Sequence, residues 1–420
     1  MDSERSHEGA VPTVIRRLRA APRVARRVVV TARRANKHLR RSFRNGVERR
    51  IARVAGTLGA IGAGSSGRGR AIVIQPGPHH AEVVLGLLPL LHHRFAHVDV
   101  IAHPRLAPQL RAVVDPAVDH VRYRRGPSLE AAMARALASD HDLVLVTTVI
   151  WRRLERHADR FAAHPRAFGI VHDVVSADPD RLARQRPSGP RWSLLPELIR
   201  SGRFLALFRP TAGAAPTPLR TITPIHRPPT DAAPRVGTSR PLRLTAVGRY
   251  GTDLDLLVRG LAAALASGMP EVPIDLVGRW SEEELGRALD GSGVEHLVVV
   301  AGRDGNLVDE RALGRIVEDA AFLVKAKPTD TQLGRIASGA RGLSLGSATP
   351  LVLDERLADE WGLPRDACVT FSDDRLEDGL RRAVAMGTEE RAAMTSALER
   401  HRAEVERADL ALLDTLIAGR

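Results

Sequence analysis

RLTAVGRYGTDLDLLVRGLAAAL (243–265) holds a complete structural unit in one line. An apolar run without polar alternation reaches Gly248, the segment Arg249-Tyr250-Gly251 breaks it, and leucines then recur at Leu254, Leu257, Leu261 and Leu265. That is a buried strand, a tight turn and a helix, as a parallel sheet with crossover helices requires.

Working outward, the same scheme repeats. PIDLVGR (273–279), HLVVVAGR (296–303), AFLVKAK (321–327), TPLVLD (349–354) and CVTF (368–371) read as further strands separated by helical stretches. Upstream, AIVIQPG (71–77), HVDVIAH (97–103), HVRYRR (120–125), DLVLVTT (142–148), AFGIVHD (167–173) and FLALF (204–208) give a second series. Between the series lies HRPPTDAAPRVGTSRP (226–241), proline-rich and aperiodic, the pattern of an interdomain linker. The expected fold is α/β, with two doubly wound, Rossmann-like domains at 71–225 and 242–387 facing a cleft. Residues 388–420 read as one or two closing helices. Ligands of open parallel sheets bind beyond the carboxyl ends of the strands, at the switch point, so the expected site is the cleft.

The chain's net charge of +14 is localised. Residues 1–70 carry eighteen Lys+Arg against Asp2, Glu4, Glu8 and Glu48, so the remainder is neutral. After Pro22, apolar residues at Val28, Ala32, Ala35, Leu39, Phe43, Val47, Ile51, Val54 and Leu58 follow a helical spacing with arginines on the other faces. Residues 1–70 thus form a basic amphipathic arm with a flexible Gly-Ser link at 61–69. Its longest apolar run, Val28 to Val30, is too short for a signal sequence or a membrane span. The stretch 13–60 suits an anionic membrane surface; nucleic-acid phosphates, or the protein's own body, are the other possible partners. An aromatic content of 3% disfavours a nucleic-acid surface built on stacking. One cysteine, Cys368, excludes an internal disulfide framework and a cysteine zinc site, and fits a reducing cytoplasm.

Only three of the 63 basic residues are lysines: Lys37, Lys325 and Lys327. A compact ammonium at a strand end suits phosphate binding, and a solvated strand end is the plainer alternative. Pro328 and Thr329 lead into an expected helix near Thr331, with Gly334 and Arg335 in its first turn, and helix N-termini favour anions. Thr331 or Asp330 can equally be a simple N-cap. Three strands of the second half end in Gly-Arg, at 248–249, 278–279 and 302–303. In the first half, His172 and Asp173 follow a strand, and His79 and His80 occupy a stiff Pro-Gly-Pro loop. His79, His80 and Glu82 could suggest a metal, but no third cluster of ligands supports one.

These motifs together resemble the nucleotide-sugar half of GT-B glycosyltransferases, above all the large retaining family with two Rossmann-like domains. The resemblance covers most of 71–415 in architecture and order. It implies a nucleoside-diphosphate sugar bound by the second domain, an acceptor bound by the first, and no cofactor or metal. Arg249 stands where that family's arginine faces the diphosphate, while the lysine a few residues later is absent; apart from the resemblance, Lys325 on a neighbouring strand could provide the missing cation. The family's paired glutamates are also missing, with Leu333 and Arg341 in their places. His172 matches the family's histidine near the transferred sugar. The implied function is hexosyl transfer to a glycan or lipid-linked acceptor at the cytoplasmic membrane face, in cell-envelope glycan or glycolipid synthesis. Arg249, Lys325, Lys327, Thr331, Gly334 and Arg335 would hold the diphosphate, His172 and Asp173 would act at the sugar, and His79 and His80 would border the acceptor. Retention is the default by resemblance, and inversion would need a base such as Asp173 or His79. The missing glutamates support the alternative of an inactive, GT-B-like membrane assembly protein.

Overall fold

A computed structural model describes residues 69–419, except 115–118, 186–190, 208–218, 230–240, 249–250, 279, 302–307 and 327–338. The basic arm and Arg249, Lys327, Thr331, Gly334 and Arg335 therefore lie outside the described residues.

The first sheet has seven strands, β1 (Arg70–Gln75), β2 (His97–Ala102), β3 (Asp119–Tyr123), β4 (Leu143–Val146), β5 (Ala167–Val171), β6 (Phe204–Ala206) and β7 (Arg220–Thr221), in the order β3-β2-β1-β4-β5-β6-β7. The second has six, β8 (Leu244–Gly248), β9 (Ile274–Gly278), β10 (Val298–Ala301), β11 (Phe322–Lys325), β12 (Leu351–Asp354) and β13 (Cys368–Phe371), in the order β10-β9-β8-β11-β12-β13. Every pairing is parallel, as strands apolar on both faces require. Each sheet reverses direction once, between β1 and β4 and between β8 and β11, which defines two switch points. The twelve strands read from the sequence are present, and β7 is an addition. Two residues long and beside prolines, β7 carries too little pattern to be read.

Alternation along the second sheet divides its faces. Phe322, Val324 and Val352 face a core of their own, while Leu323, Leu351 and Leu353 join the core of the first lobe. Apolar packing therefore runs continuously from one lobe into the other. The C-terminal stretch is a single helix of 30 residues, Thr388–Ile417, which ties to the first lobe through Arg94 Nε and Asp414 Oδ1 at 2.5 Å.

The first residues of the expected linker are not free. His226 is buried and bonds Glu310 Oε2 at 2.8 Å, with Glu310 buried as well. The segment enters under helix α1 (Ala81–His92) and runs past α2 (Glu310–Asp319) and α3 (Gly339–Ser347), at glycines where a side chain would collide with it. A Cβ at Gly86 would stand 2.7 Å from the Pro224 backbone, at Gly342 2.4 Å from Pro224 O, and at Gly314 2.3 Å from Pro229 O. These contacts hold the path between the lobes in one place.

Candidate functional site

The site grows from the carboxyl end of β1. Gln75 is fully buried, its Oε1 accepts from Thr147 Oγ1 at 2.9 Å, and its Nε2 donates to the His79 carbonyl. The loop after β1 is thereby fixed to the loop after β4, across the switch point. His80 follows with φ 69° and ψ 41°, left-handed values that cost a non-glycine residue about 1 kcal/mol. That turn brings the His80 ring toward the cleft, where its Nδ1 lies 3.0 Å from Glu82 Oε1.

His172 meets it from the end of β5. The two rings stand 4.1 Å apart at 43°. His172 Nε2 lies 2.9 Å from the Thr147 carbonyl and 3.2 Å from Thr148 Oγ1. A carbonyl only accepts, so Nε2 carries the proton and Nδ1 keeps its lone pair. Burial, then the adjacent His80, pushes the His172 imidazole down to about 4, which leaves it neutral at physiological pH. Burial pushes the Glu82 carboxyl upward, but its bond to His80 and the charge there outweigh this and hold it at about 2. An ionised carboxylate can only accept, so His80 Nδ1 donates to Glu82 and Nε2 is the nitrogen left for chemistry.

The second lobe contributes Arg341, from α3, with Gly342 and Trp361 beside it in the same cavity. Gly339 begins that helix so close to Glu82 that a Cβ there would stand 3.2 Å from the Glu82 Cγ. Burial pushes the Arg341 guanidinium down to about 10, so it remains a cation. Its Nη1 donates to the Leu207 carbonyl at 3.4 Å, while its buried Nε has no hydrogen-bond partner among the described residues.

Of the residues singled out from sequence, His80 and His172 are brought together and line this cavity. His79 turns aside, its ring 6.4 Å from that of His80, and Asp173 starts the following turn by accepting from the Ser176 backbone. Neither lines the cavity. Lys325 ends β11 at the second switch point and is 5% exposed, so the plainer alternative of a solvated strand end does not hold for it. Sequence reasoning did not assign Glu82 to His80, although their spacing across a helix start was a usable signal. It saw Arg341 only as a departure from a motif.

Two doubly wound parallel sheets around a common cleft, each with a switch point at its carboxyl edge, are the GT-B fold. No protein-family model matches the chain, and no curated protein matches it. Among solved structures it is similar to HepE of Anabaena in complex with UDP, at 14% identity over 83% of this chain and 99% of that one, with a TM-score of 0.54. The HepE complex with UDP-glucose matches at 13% identity over 84% and 98%, also with a TM-score of 0.54. A looser likeness, to CalG4, the calicheamicin glycosyltransferase, has 14% identity over 84% and 98% and a TM-score of 0.40.

Proposed function

We propose that this chain is a glycosyltransferase that moves a sugar from a nucleoside-diphosphate donor to an acceptor hydroxyl. The observation that carries the reading is the pairing of His80 and His172, the one clamped by an ionised carboxylate and the other held neutral, at the carboxyl edge of a GT-B sheet. His80 Nε2 is the base that takes the acceptor proton, and Glu82 stabilises the imidazolium that forms. The neutral His172 accepts a hydroxyl hydrogen bond at Nδ1. Lys325, with Arg249, Lys327 and Arg335, neutralises the departing diphosphate, the largest charge to develop in the reaction, and Thr331 with the Gly334 turn gives hydroxyl and backbone donors.

A clamped base is what an inverting transfer needs, and His80 takes the place that Asp173 and His79 held as sequence candidates. The sugar is a hexose and the acceptor a glycan or lipid-linked glycan of the cell envelope, met at the cytoplasmic membrane face through residues 13–60. The HepE complexes make UDP and UDP-glucose the first donors to test. At a hundredfold excess over Kd a bound donor adds about 2.7 kcal/mol to stability, a readable thermal shift. Lys325→Met should lose that shift while Lys37→Met keeps it. Product analysis by NMR should then show an inverted anomeric centre.

One observation favours a different reading. Arg341 and Leu333 stand where the retaining family has its glutamates, which suits a GT-B-like assembly protein without transfer. The absence of a shift with every nucleoside diphosphate and nucleotide sugar at millimolar concentration would sink the transferase reading in favour of that one.

A further inference from the structure

The arginines of the first sheet divide by edge. At the amino edge they are satisfied: Arg70 reaches Asp99 at 3.1 Å, Arg166 reaches Asp142 at 3.0 Å, and Arg203 and Arg220 donate to backbone carbonyls, while Arg122, on the edge strand β3, also reaches Asp99 at 3.5 Å. The carboxyl edge is different. Arg105 follows β2, Arg124 and Arg125 follow β3, and Arg152, Arg153 and Arg156 lie on the short helix Trp151–Glu155 or just past its end, after β4. Among the described residues Arg105, Arg124, Arg125 and Arg152 have no carboxylate within 4.0 Å, and all four are exposed. Glu130 alone serves Arg153 and Arg156, at 3.9 and 3.8 Å.

These cations converge although they come from separate elements. After burial, the charges of Arg105, Arg153 and Arg125 push the His103 imidazole down, so all three lie within electrostatic reach of that ring. Arg153 also donates to the Pro76 carbonyl at 3.4 Å, which joins the cluster to the loop that carries His80. Exposed, unpaired guanidinium groups repel one another, and in a body that is otherwise neutral nothing in the fold calls for them on one edge. Their extent is informative too. β3 and β4 are three strand spacings apart, which is roughly 14 Å, more than a single phosphate spans.

We propose that the acceptor is a polyanionic chain, with repeated phosphate or carboxylate groups, lying along the carboxyl edge of the first sheet from Arg124 and Arg125 past Arg105 and Arg153 to His80. The inference rests on the transferase reading for the chain's role as acceptor, but not for its binding. Arginine forks suit phosphate and carboxylate alike, and the spacing selects a chain over a lone anion.

The test uses the full chain and fluorescently labelled inorganic polyphosphate and polygalacturonate, with affinity read by anisotropy at physiological salt. Arg124→Gln/Arg125→Gln should weaken at least one polymer about tenfold, a loss of about 1.4 kcal/mol. Arg105→Gln/Arg152→Gln should do the same, which guards against local misfolding in either pair. Arg287→Gln/Arg400→Gln, exposed arginines outside the first sheet, should change nothing. The preferred polymer tells phosphate from carboxylate. Equal affinity in all three variants would overturn the proposal, since the basic arm would then carry the binding. So would rim variants that lose phosphatidylglycerol vesicles but keep both polymers, or a single-stranded oligonucleotide that binds the rim more tightly than either polymer. A rim that binds polymer in a protein showing no donor-induced shift would leave this inference standing and remove the transferase reading.

Discussion

His80 and His172 differ in what holds them, and that difference can be measured. Replacing His80 with Gln removes the base while leaving the loop anchored by Gln75. The turnover number should fall by about 10²–10⁴-fold with the donor-induced thermal shift retained. Equal loss of both would make His80 a folding residue. His172 carries a second consequence, through pH. Its folded value of about 4 lies below the ordinary 6.5, so between these the unfolded chain binds more protons and stability rises with pH. Asp409 on the C-terminal helix, which accepts from the Thr223 N–H at 3.0 Å, does the reverse. Burial pushes its carboxyl from 3.8 up to about 7 against the pull of that bond and of Arg341, so stability falls as pH rises through this window. The two trends oppose each other, each on the order of 3–4 kcal/mol. The lowered imidazoles of His103, His164 and His401 add to the His172 trend, so each variant is compared with the wild-type profile. Relative to that profile, His172→Gln should tilt melting temperature downward with rising pH, and Asp409→Asn should tilt it upward. Parallel profiles in both variants would contradict the assignment. Of these residues, His172 was legible because it ends an apolar run. The choice of His80 over His79 was not, because it depends on one left-handed backbone step.

At the level of elements, most strands were legible because each is a short apolar run buried on both faces, although β3 and β10, at the sheet edges, are partly exposed. The segment between the lobes was misleading: its prolines suggest a free linker, yet residues 224–229 are packed beneath helices. The signal was present as Gly339, Gly342 and Gly346, a small-residue face at helical spacing on α3, but it points to close approach without saying what approaches. A Cβ at Gly346 would stand 1.9 Å from the His226 carbonyl, which neither backbone can accommodate without moving. Gly346→Ala should therefore destabilise by about 3 kcal/mol or more. Gly286, inside the helix Glu282–Leu289 with nothing within 4 Å of its Cβ position, is the natural comparison. Gly286→Ala should stabilise by about 0.5–1 kcal/mol, because alanine restricts the unfolded chain more. Chemical denaturation of the two variants, with midpoints compared at a common slope, checks both signs.

On the scale of the whole molecule, charge separates what packing joins. The lobes share a continuous apolar core, while nearly all of the +14 lies before the first described strand. No described helix is long and apolar enough to cross a membrane. Each arginine near an anionic surface contributes about 1 kcal/mol, and this attraction is screened within a Debye length of about 10 Å at 0.1 M salt. Apolar insertion of the amphipathic stripe would add a part that salt does not remove. Sedimentation with vesicles of phosphatidylcholine and phosphatidylglycerol separates the two contributions. The full chain should pellet at low salt and be largely released at high salt, whereas a chain beginning at Gly64 should stay in solution at both. If the shortened chain pelleted as well as the full one, the arginine rim of the first sheet would be the membrane contact and the arm would need another partner.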